Sequence, residues 1–493
     1  GLEMEEDKDN DHLLKVEIPA NRYDLLCVEG LVISLLNYLS NENSLSNLIK
    51  PDDFKTKPSD LSIKVDPIVN KIRPFIVSGI LRNVKFTKNS YESFIDYQDK
   101  LHQNLGRKRT LVSIGTHDLD KIKGPFKYTA TKRDEFSFIP LNQNKEFTGA
   151  DLLEFYKSDL HLKNYLHIIG DSEYIPLVLD SNNQVLSMPP IINSEYSKIS
   201  ENSKNIFIEI TATDKTKALM ALNVILSSFS LYSDNKFEFE QVEIQEENCS
   251  YLTPVTPLTT RFISSKSYFE KLVGMSVSST SVIYNLSKMG LSCKEIEGDS
   301  FQIDVPFYRT DIMHPCDIAE DLAIGIGYNN IDFRDPNIIC LGYQNPLNKM
   351  SELVRIELAN AGYIELLNFS LCSYEDLTKK LLVDKDLNAI QISNPKTQDF
   401  QVGRTTLIPG IIKSLLSNKS NELPLKFFEI GDVMYLYDKQ KDNYNFKEII
   451  GAKNEKRISF CYSNTTTSGL DVIHGSFDLL MKKLFQNKIN YKL

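Results

Sequence analysis

The chain has 493 residues, too many for one hydrophobic core, so we expect roughly three to five domains. Hydrophobic residues make up 41% of it and charged residues 25%, an ordinary globular composition, and no apolar run approaches the roughly 20 residues that span a bilayer. With 66 acidic and 56 basic residues the formal charge is −10, which argues against nucleic-acid binding by the whole surface and leaves it to local basic patches.

Two features of the sequence predict a cytoplasmic protein. The first residues, GLEMEEDKDNDHLL, are acidic and lack the apolar stretch of a signal peptide. The seven cysteines have no CxxC spacing, which argues against a zinc site or a disulfide framework and favours a reducing compartment. Because the chain opens on Gly1, we also expect it to begin inside a longer gene product.

The first 60 residues are predicted to be the end of an N-terminal domain followed by a linker. Residues 11–40 contain a strand-like stretch, a turn and an apolar helix in which leucine and valine recur at helical spacing. Residues 41–59 are rich in Asn, Ser, Lys and Pro, a composition typical of a loop or linker.

Residues 61–240 are predicted to form an α+β domain. Short segments rich in Val, Ile, Thr and Phe, bounded by turn residues, predict strands, and residues 90–106 and 213–233 predict helices. This mixture favours a domain built on antiparallel sheets.

Two further domains are predicted beyond this one. Residues 257–335 contain a helix whose expected C-terminal cap is Gly290, then a pair of strands and another helix. Residues 345–493 open with a long helix and continue with strand-like pieces such as EIGDVMYLYD and KRISFCYSN.

Four carboxylates stand close together in the segment VPFYRTDIMHPCDIAEDLAIGIGYNNI. Asp317, Glu320 and Asp321 share one face of a helix that begins near Asp317, and Asp311 approaches from the preceding turn. Oxygen ligands without His or Cys suit a hard cation, magnesium rather than zinc. The spacing of Asp317 and Glu320 equally fits helix capping, because acidic residues stabilise a helix N-terminus by about 0.3–1 kcal/mol. Both interpretations stay open.

Long and unusual segments carry a resemblance to a known family. They are KVEIPANRYDLLCVEGL, KLHQNLGRKRTLVSIGTHDLDKIKGPFKYTA, VLSMPPIINSEYSKI, SNPKTQDFQVGRTTLIPG and LPLKFFEIGDV. In these segments, in order from about residue 12 to its end, the chain resembles the eukaryotic phenylalanine–tRNA ligase beta subunit. Compared with that family, it lacks part of the first domain and stops at Leu493 inside a synthetase-like module.

The resemblance implies an α+β multidomain fold. Its parts are an α+β tRNA-editing domain (61–240), a small helix-rich, winged-type domain (257–335) and a non-catalytic class II synthetase-like antiparallel-sheet module (345–493). It also implies a cytosolic heterotetramer of two alpha and two beta subunits that attaches phenylalanine to its tRNA. In this family the alpha subunit uses ATP and carries the aminoacylation site, whereas the beta subunit hydrolyses misacylated tyrosyl-tRNA and has no membrane association.

The resemblance also assigns roles to residues. Glu209 matches an acidic position of the family's editing pocket, where it would accept the tyrosyl hydroxyl proton. The remaining expected residues are His117, Asp118 and Asn193 in the pocket, Ser187, Pro189 and Pro190 in its wall, and Arg107, Lys108 and Arg109 as contacts to the terminal tRNA phosphates. The magnesium ion, shared with the alpha subunit, is expected at Asp311, Asp317, Glu320 and Asp321.

The residues alone support more modest interpretations. A strand-borne glutamate such as Glu209 is usually solvated, and His117 with Asp118 is typical of a turn. Arg404 is expected to be structural, and residues 405–455 contain no arginine that could bind ATP phosphates. Alternative functions are a scaffold and tRNA-binding subunit without editing, and a free-standing deacylase, against which the long apolar stretches of 345–430 argue.

Overall fold

The computed structural model describes residues 2–6, 14–40, 48–170, 172–333, 335, 340–383, 388–436, 451–466 and 468–485. They belong to two compact units, Gly1–Asp335 and Pro336–Leu493. The predicted multidomain mixture of helices and sheets is confirmed. Among the described residues, no helix is long and apolar enough to cross a bilayer.

The first unit contains most of the sheet structure. Its strands are β1 (Glu3–Glu6), β2 (Leu14–Glu17), β3 (Lys55–Val65), β4 (Phe75–Leu81), β5 (Val112–Asp118), β6 (Phe126–Lys132), β7 (Ser137–Phe138), β8 (Phe147–Thr148), β9 (Tyr174–Leu179), β10 (Val185–Met188), β11 (Ile192–Asn193), β12 (Ile206–Ala212), β13 (Glu238–Gln245), β14 (Ser250–Thr253), β15 (Thr259–Ser265), β16 (Ser292–Ile296) and β17 (Ser300–Pro306). Its helices are α1 (Val28–Leu39), α2 (Lys88–Gln103), α3 (Gly149–Tyr156), α4 (Lys215–Phe229), α5 (Lys266–Val273), α6 (Ser279–Lys288) and α7 (Pro315–Ile326).

The N-terminal segment is a β1–β2 antiparallel pair followed by α1. A buried carboxylate fastens α1 to the large sheet domain, because Glu29 accepts hydrogen bonds of 2.8 Å from Ser93 and from Tyr232. Of the predicted linker, residues 41–47 lie outside the described residues. The remainder is not all loop, since β3 already begins at Lys55.

A ten-stranded sheet dominates the first unit. Its order is β11-β10-β9-β6-β3-β13-β4-β12-β5, with β14 paired to β13. Most neighbours are antiparallel as predicted, but β3 runs parallel to both β6 and β13. The sheet reaches from Lys55 to Thr253 and so extends beyond residues 61–240 at both ends.

The side chains of β12 point alternately to the two faces of this sheet. Ile206, Ile208, Ile210 and Ala212 join the core beneath α2 and α4. Successive strand residues point to opposite faces, so Phe207, Glu209 and Thr211 lie on the other side. A buried strand thereby presents one carboxylate, Glu209, to the face opposite that core, where Ser187 and His117 approach it.

In the region predicted to be a winged-type domain, β15, β17 and β16 form a three-stranded antiparallel sheet covered by α5, α6 and α7. The predicted strand pair is β16–β17. The predicted cap is also confirmed, because Gly290 follows α6 with φ of +78°, a left-handed conformation that glycine adopts without strain.

The second unit contains strands β18 (Ile364–Glu365), β19 (Leu371–Cys372), β20 (Val402–Gly403), β21 (Leu425–Leu436) and β22 (Ala452–Ser463), with helices α8 (Pro346–Asn360), α9 (Tyr374–Leu377), α10 (Ile408–Ser417) and α11 (Leu470–Phe485). The long strands β21 and β22 pair antiparallel from end to end. β18 adds to β21 in parallel, so this three-stranded sheet is mixed, whereas β19 and β20 form a separate antiparallel pair.

Truncation of Phe301 tests this account of the winged-type core. Phe301 is fully buried among α5, α6 and α7, so Phe301→Ala should lower the free energy of unfolding by about 3–5 kcal/mol through lost contacts and a cavity. The matched control is Ile263→Ala on the neighbouring strand β15, where the side chain is 64% exposed, with an expected change within about 0.5 kcal/mol. Chemical denaturation measures both, and equal effects would contradict the assigned core.

Candidate functional site

A cavity of about 830 Å³ lies beside β5, the edge strand of the large sheet. Helix α2 forms one wall, and the turn that joins β10 to β11 forms another. Glu209, Ser187, Pro189, Pro190, Asn193 and Arg109, all expected at the site, line it. Since β10 and β11 place Ser187 opposite Asn193, two of the expected polar residues are neighbours across one short hairpin.

Glu209 is held in place at this cavity with one carboxylate oxygen in use and the other free. Its side chain is 1% exposed, and Oε1 accepts a 2.7 Å hydrogen bond from Ser187 Oγ. Gly115 lies opposite on β5, where a Cβ atom would stand only 2.2 Å from Oε1, so any other residue would displace the carboxylate. Oε2 has no hydrogen-bond partner.

The structure separates His117 from Asp118. His117 is fully buried, shares a 2.7 Å hydrogen bond between Nδ1 and Ser197 Oγ, and directs Nε2 to within 3.7 Å of Glu209 Oε1. It stands behind Glu209 and does not line the cavity. Asp118 does not join them, because it accepts a 2.7 Å hydrogen bond from Ser203 Oγ and holds the following turn through Asp120 N.

Unsatisfied polar atoms concentrate at this cavity. Among the buried side-chain atoms without a hydrogen-bond partner in the described part of the chain, four belong to residues that line it: His102 Nδ1, Arg109 Nε, Tyr156 OH and Glu209 Oε2. A buried polar group without a partner costs about 1–3 kcal/mol. A cavity walled in this way is suited to a ligand that brings both donors and acceptors.

The three expected basic residues do not act alike. Arg107, Lys108 and Arg109 all have positive φ values, between 44° and 65°, in a tight turn after α2. Arg107 and Lys108 are exposed to solvent. Arg109 instead donates to Ile191 O at 2.9 Å and lies over the ring of Tyr165, and burial lowers its pKa. Only the first two are placed to meet phosphates from solution.

Sequence reasoning missed Arg73, a cation near Glu209. Its buried guanidinium donates to Thr211 Oγ1 at 3.0 Å, Thr211 O at 2.9 Å and Thr110 O at 3.0 Å. Thr211 and Glu209 are two residues apart on the same face of β12, so the positive charge of Arg73 lies on that face beside the residue next to the carboxylate. Burial lowers the pKa of Arg73 to about 10, still well above neutrality, so the charge is kept. An arginine before a proline offers no motif by which to find it.

The four carboxylates of the predicted magnesium site do not converge. Arg309 donates to Asp311 Oδ2 and to Asp321 Oδ2, both at 2.8 Å, and so places a positive charge where the ion would bind. Asp317 helps to cap α7 by accepting hydrogen bonds from the backbone of Met313 and His314, but the N-cap residue is His314, and the capping box pairs Asp317 with His314 where Glu320 was expected.

Glu320 is exposed and lines the same cavity as Asp311 and Asp321, but it does not join their ion pair with Arg309. Within the described residues there is no group of three or more His, Cys, Asp or Glu side chains that could hold a metal ion. Burial alone would raise the pKa of Asp311, but the hydrogen bonds and charge of Arg309 outweigh it and hold that pKa below its usual value. In this arrangement the described residues do not fit magnesium.

Arg404 is fully used inside the second unit. Its Nη1 pairs with Glu429 Oε1 at 2.5 Å and its Nε donates to Asp432 O at 2.9 Å. Asn368 satisfies the other oxygen of Glu429 at 2.7 Å. These bonds, made by a side chain that is buried in the second unit, support the predicted structural role of Arg404.

Family profiles match the chain along most of its length. They are the Phe-tRNA synthetase beta subunit B1 domain at residues 2–41, the B3/4 domain at 74–236, the tRNA synthetase B5 domain at 264–328 and the phenylalanyl tRNA synthetase beta chain CLM domain at 337–492. The cavity described above is formed by residues of the second match, and the Arg309 ion pair by residues of the third.

Several proteins similar in sequence to this chain share the same protein name. The phenylalanine–tRNA ligase beta subunits of Mus musculus and Homo sapiens are each 44% identical over 96% of this chain and 78% of their own length. That of Saccharomyces cerevisiae is 41% identical over 98% of this chain and 81% of its own. An N-terminal fragment of the phenylalanyl-tRNA synthetase beta subunit from Pyrococcus horikoshii has a TM-score of 0.59 and 31% identity, covering 66% of this chain and 90% of that one.

Replacement of Arg309 tests the structural role of the carboxylate cluster. Arg309→Gln should lower the free energy of unfolding by about 3–5 kcal/mol, because it leaves Asp321 buried without its counter-ion. The matched control is Arg261→Gln, which removes an exposed pair with Asp304 in the same domain and should leave unfolding unchanged. Urea denaturation provides the comparison, and a wild-type midpoint for Arg309→Gln would contradict this role.

Proposed function

Because the chain belongs to the family of phenylalanine–tRNA ligase beta subunits, and so is part of an aminoacyl-tRNA ligase, we propose that it hydrolyses misacylated tyrosyl-tRNA in the cavity at Glu209. The observation that carries this proposal is the unpartnered Oε2 of a buried glutamate facing a cavity of about 830 Å³. Such an atom is a hydrogen-bond acceptor waiting for a donor.

A tyrosyl group supplies that donor and a phenylalanyl group does not. The two amino acids differ by one hydroxyl, which an apolar pocket discriminates by only roughly a hundredfold. In the cavity the phenolic hydroxyl would donate to Glu209 Oε2, whereas phenylalanine would leave it buried and unpaired at a cost of about 1–3 kcal/mol. The cavity at Glu209 would therefore favour the tyrosyl group, which the aminoacylation site rejects only weakly.

The surroundings of Glu209 support this role by fixing its geometry. Ser187 holds Oε1, so that Oε2 is the oxygen left for substrate. Arg73 stands on the same sheet face, and His117 approaches from the opposite side of the carboxylate.

The hydrolysis itself would use a positioned water and the hydroxyl of the tRNA's terminal ribose. Ser197 and His117 are hydrogen-bonded, but neither lines the cavity, so they are not placed to attack an ester. We assign Arg107 and Lys108 to the terminal phosphates of the tRNA, because both are exposed beside the cavity wall.

The second unit would contact the alpha subunit, which carries the aminoacylation site, uses ATP and completes a heterotetramer of two alpha and two beta chains. Apolar side chains stand exposed along two of its helices, Leu347, Met350, Leu353 and Ile356 on α8 and Ile408, Ile412 and Leu416 on α10. Exposed apolar surface of this extent is typical of a surface that a partner covers. We expect the protein to be located in the cytoplasm.

Deacylation of tyrosyl-tRNA by the enzyme assembled with its alpha subunit tests the proposal. Glu209→Ala should slow it by roughly tenfold or more, because the phenolic hydroxyl loses its acceptor, while attachment of phenylalanine stays intact. The matched control is Glu247→Ala, an exposed glutamate outside the cavity, with unchanged deacylation expected. Wild-type enzyme that attaches phenylalanine but leaves tyrosyl-tRNA intact would instead favour a scaffold and tRNA-binding subunit without editing.

A further inference from the structure

His102, in the last turn of α2, has a fixed tautomer. Its side chain is buried, with 5% exposure, and Nε2 accepts a 2.8 Å hydrogen bond from the backbone N–H of Ile114. A nitrogen that accepts cannot carry a hydrogen, so the hydrogen of the neutral ring is on Nδ1. Burial lowers the pKa of His102 to about 4, so the ring stays neutral at physiological pH.

Among the described residues, the only acceptor that approaches the Nδ1–H group of His102 is the Asp99 carboxylate, whose pKa the imidazole lowers, and it stands beyond ordinary hydrogen-bond distance. Nδ1 has no hydrogen-bond partner, and the carboxylate oxygen of Asp99 stands 3.8 Å away on a side chain that is 68% exposed. His102 lines the same cavity as Glu209. The cavity thus holds a buried, neutral and unoccupied donor besides its buried acceptor.

The side chains of the donor, His102, and of the acceptor, Glu209, contact adjacent residues of strand β5. His102 binds the backbone of Ile114 at the free edge of β5, and Glu209 lies over the adjacent Gly115 on the sheet face. An aminoacyl group with its phenol at Glu209 would cross the strand edge, with its ester end toward α2. The donor on α2 is on the side where the carbonyl would lie.

We propose that His102 donates a hydrogen bond from Nδ1 to the carbonyl oxygen of the aminoacyl ester, and that this bond strengthens as the oxygen becomes an oxyanion. This inference rests on the proposed editing function. In the reaction, water forms a bond to the carbonyl carbon, the carbon–ribose oxygen bond breaks, and the proton from water passes to the ribose oxygen. His102 keeps its own hydrogen throughout and acts as a neutral electrophilic group.

The competing explanation is that His102 only ties α2 to β5. Two variants separate these roles in the enzyme assembled with its alpha subunit. His102→Met removes the donor and leaves only a weak acceptor. His102→Gln, the matched control, offers both an amide donor and a carbonyl acceptor for Ile114 N.

Rates of deacylation are measured for tyrosyl-tRNA and phenylalanyl-tRNA, with thermal unfolding alongside. His102→Met should lower kcat about 100- to 1000-fold with KM nearly unchanged, as expected when one oxyanion donor is lost. His102→Gln should restore most of the rate. Both tRNAs should be affected equally in His102→Met, because the carbonyl is common to them, so the tyrosine preference set by Glu209 survives.

The results that would overturn the inference are distinct from those that would overturn editing. A His102→Met enzyme with wild-type kcat would overturn it, as would a loss confined to KM together with a lower unfolding temperature. A His102→Gln enzyme whose kcat falls as far as that of His102→Met would also overturn the inference. Absence of deacylation in the wild-type enzyme would overturn the proposed function, and with it this inference.

Discussion

The site depends on one carboxylate that the sheet buries but does not fully satisfy. Glu209 stands on β12, between β4 and β5, and residues of β5 and β10 hold its side chain in place. Gly115 removes the Cβ that would displace the carboxylate, and Ser187 fixes one oxygen at 2.7 Å. The buried guanidinium of Arg73 adds a positive charge on the same sheet face and ties the segment before β4 to β12 through Thr211.

In the proposed function, a cavity with unpartnered acceptor and donor groups would let a protein of net charge −10 act on an aminoacyl-tRNA. Recognition would then depend on a few buried atoms, Glu209 Oε2 and His102 Nδ1 among them, and would not require a basic surface. The exposed Arg107 and Lys108 add positive charge only at the rim. Affinity for the remainder of the tRNA is left to other surfaces of the assembled enzyme.

Several elements could be predicted from the sequence because their signals are local. The helices at 90–106 and 213–233 correspond to α2 (Lys88–Gln103) and α4 (Lys215–Phe229), and the left-handed Gly290 follows α6 as expected of a C-terminal cap. Periodicity and capping chemistry depend on residues close in sequence, so these elements were accessible. The parallel pairing of β3 with β6 and β13 was not, because pairing between distant segments leaves no local pattern.

Site residues whose role depends on contacts with distant segments were likewise not predictable from the sequence. Glu209 was found through the resemblance, but Arg73 and His102 were missed because their importance arises from tertiary contacts with Thr211 and Ile114. The four carboxylates at 311–321 illustrate the opposite error. Their helical spacing was read correctly, yet the buried Arg309 two residues before Asp311 turned two possible ligands into an ion pair.

A crystal structure of the assembled enzyme with a non-hydrolysable amide analogue of tyrosyl-adenosine tests the central claim most directly. The account predicts the phenolic oxygen within about 2.5–3.0 Å of Glu209 Oε2, with the ring inside the cavity beside β5. An analogue that occupies the cavity with its phenol directed elsewhere, and Glu209 Oε2 still unpartnered, would contradict it.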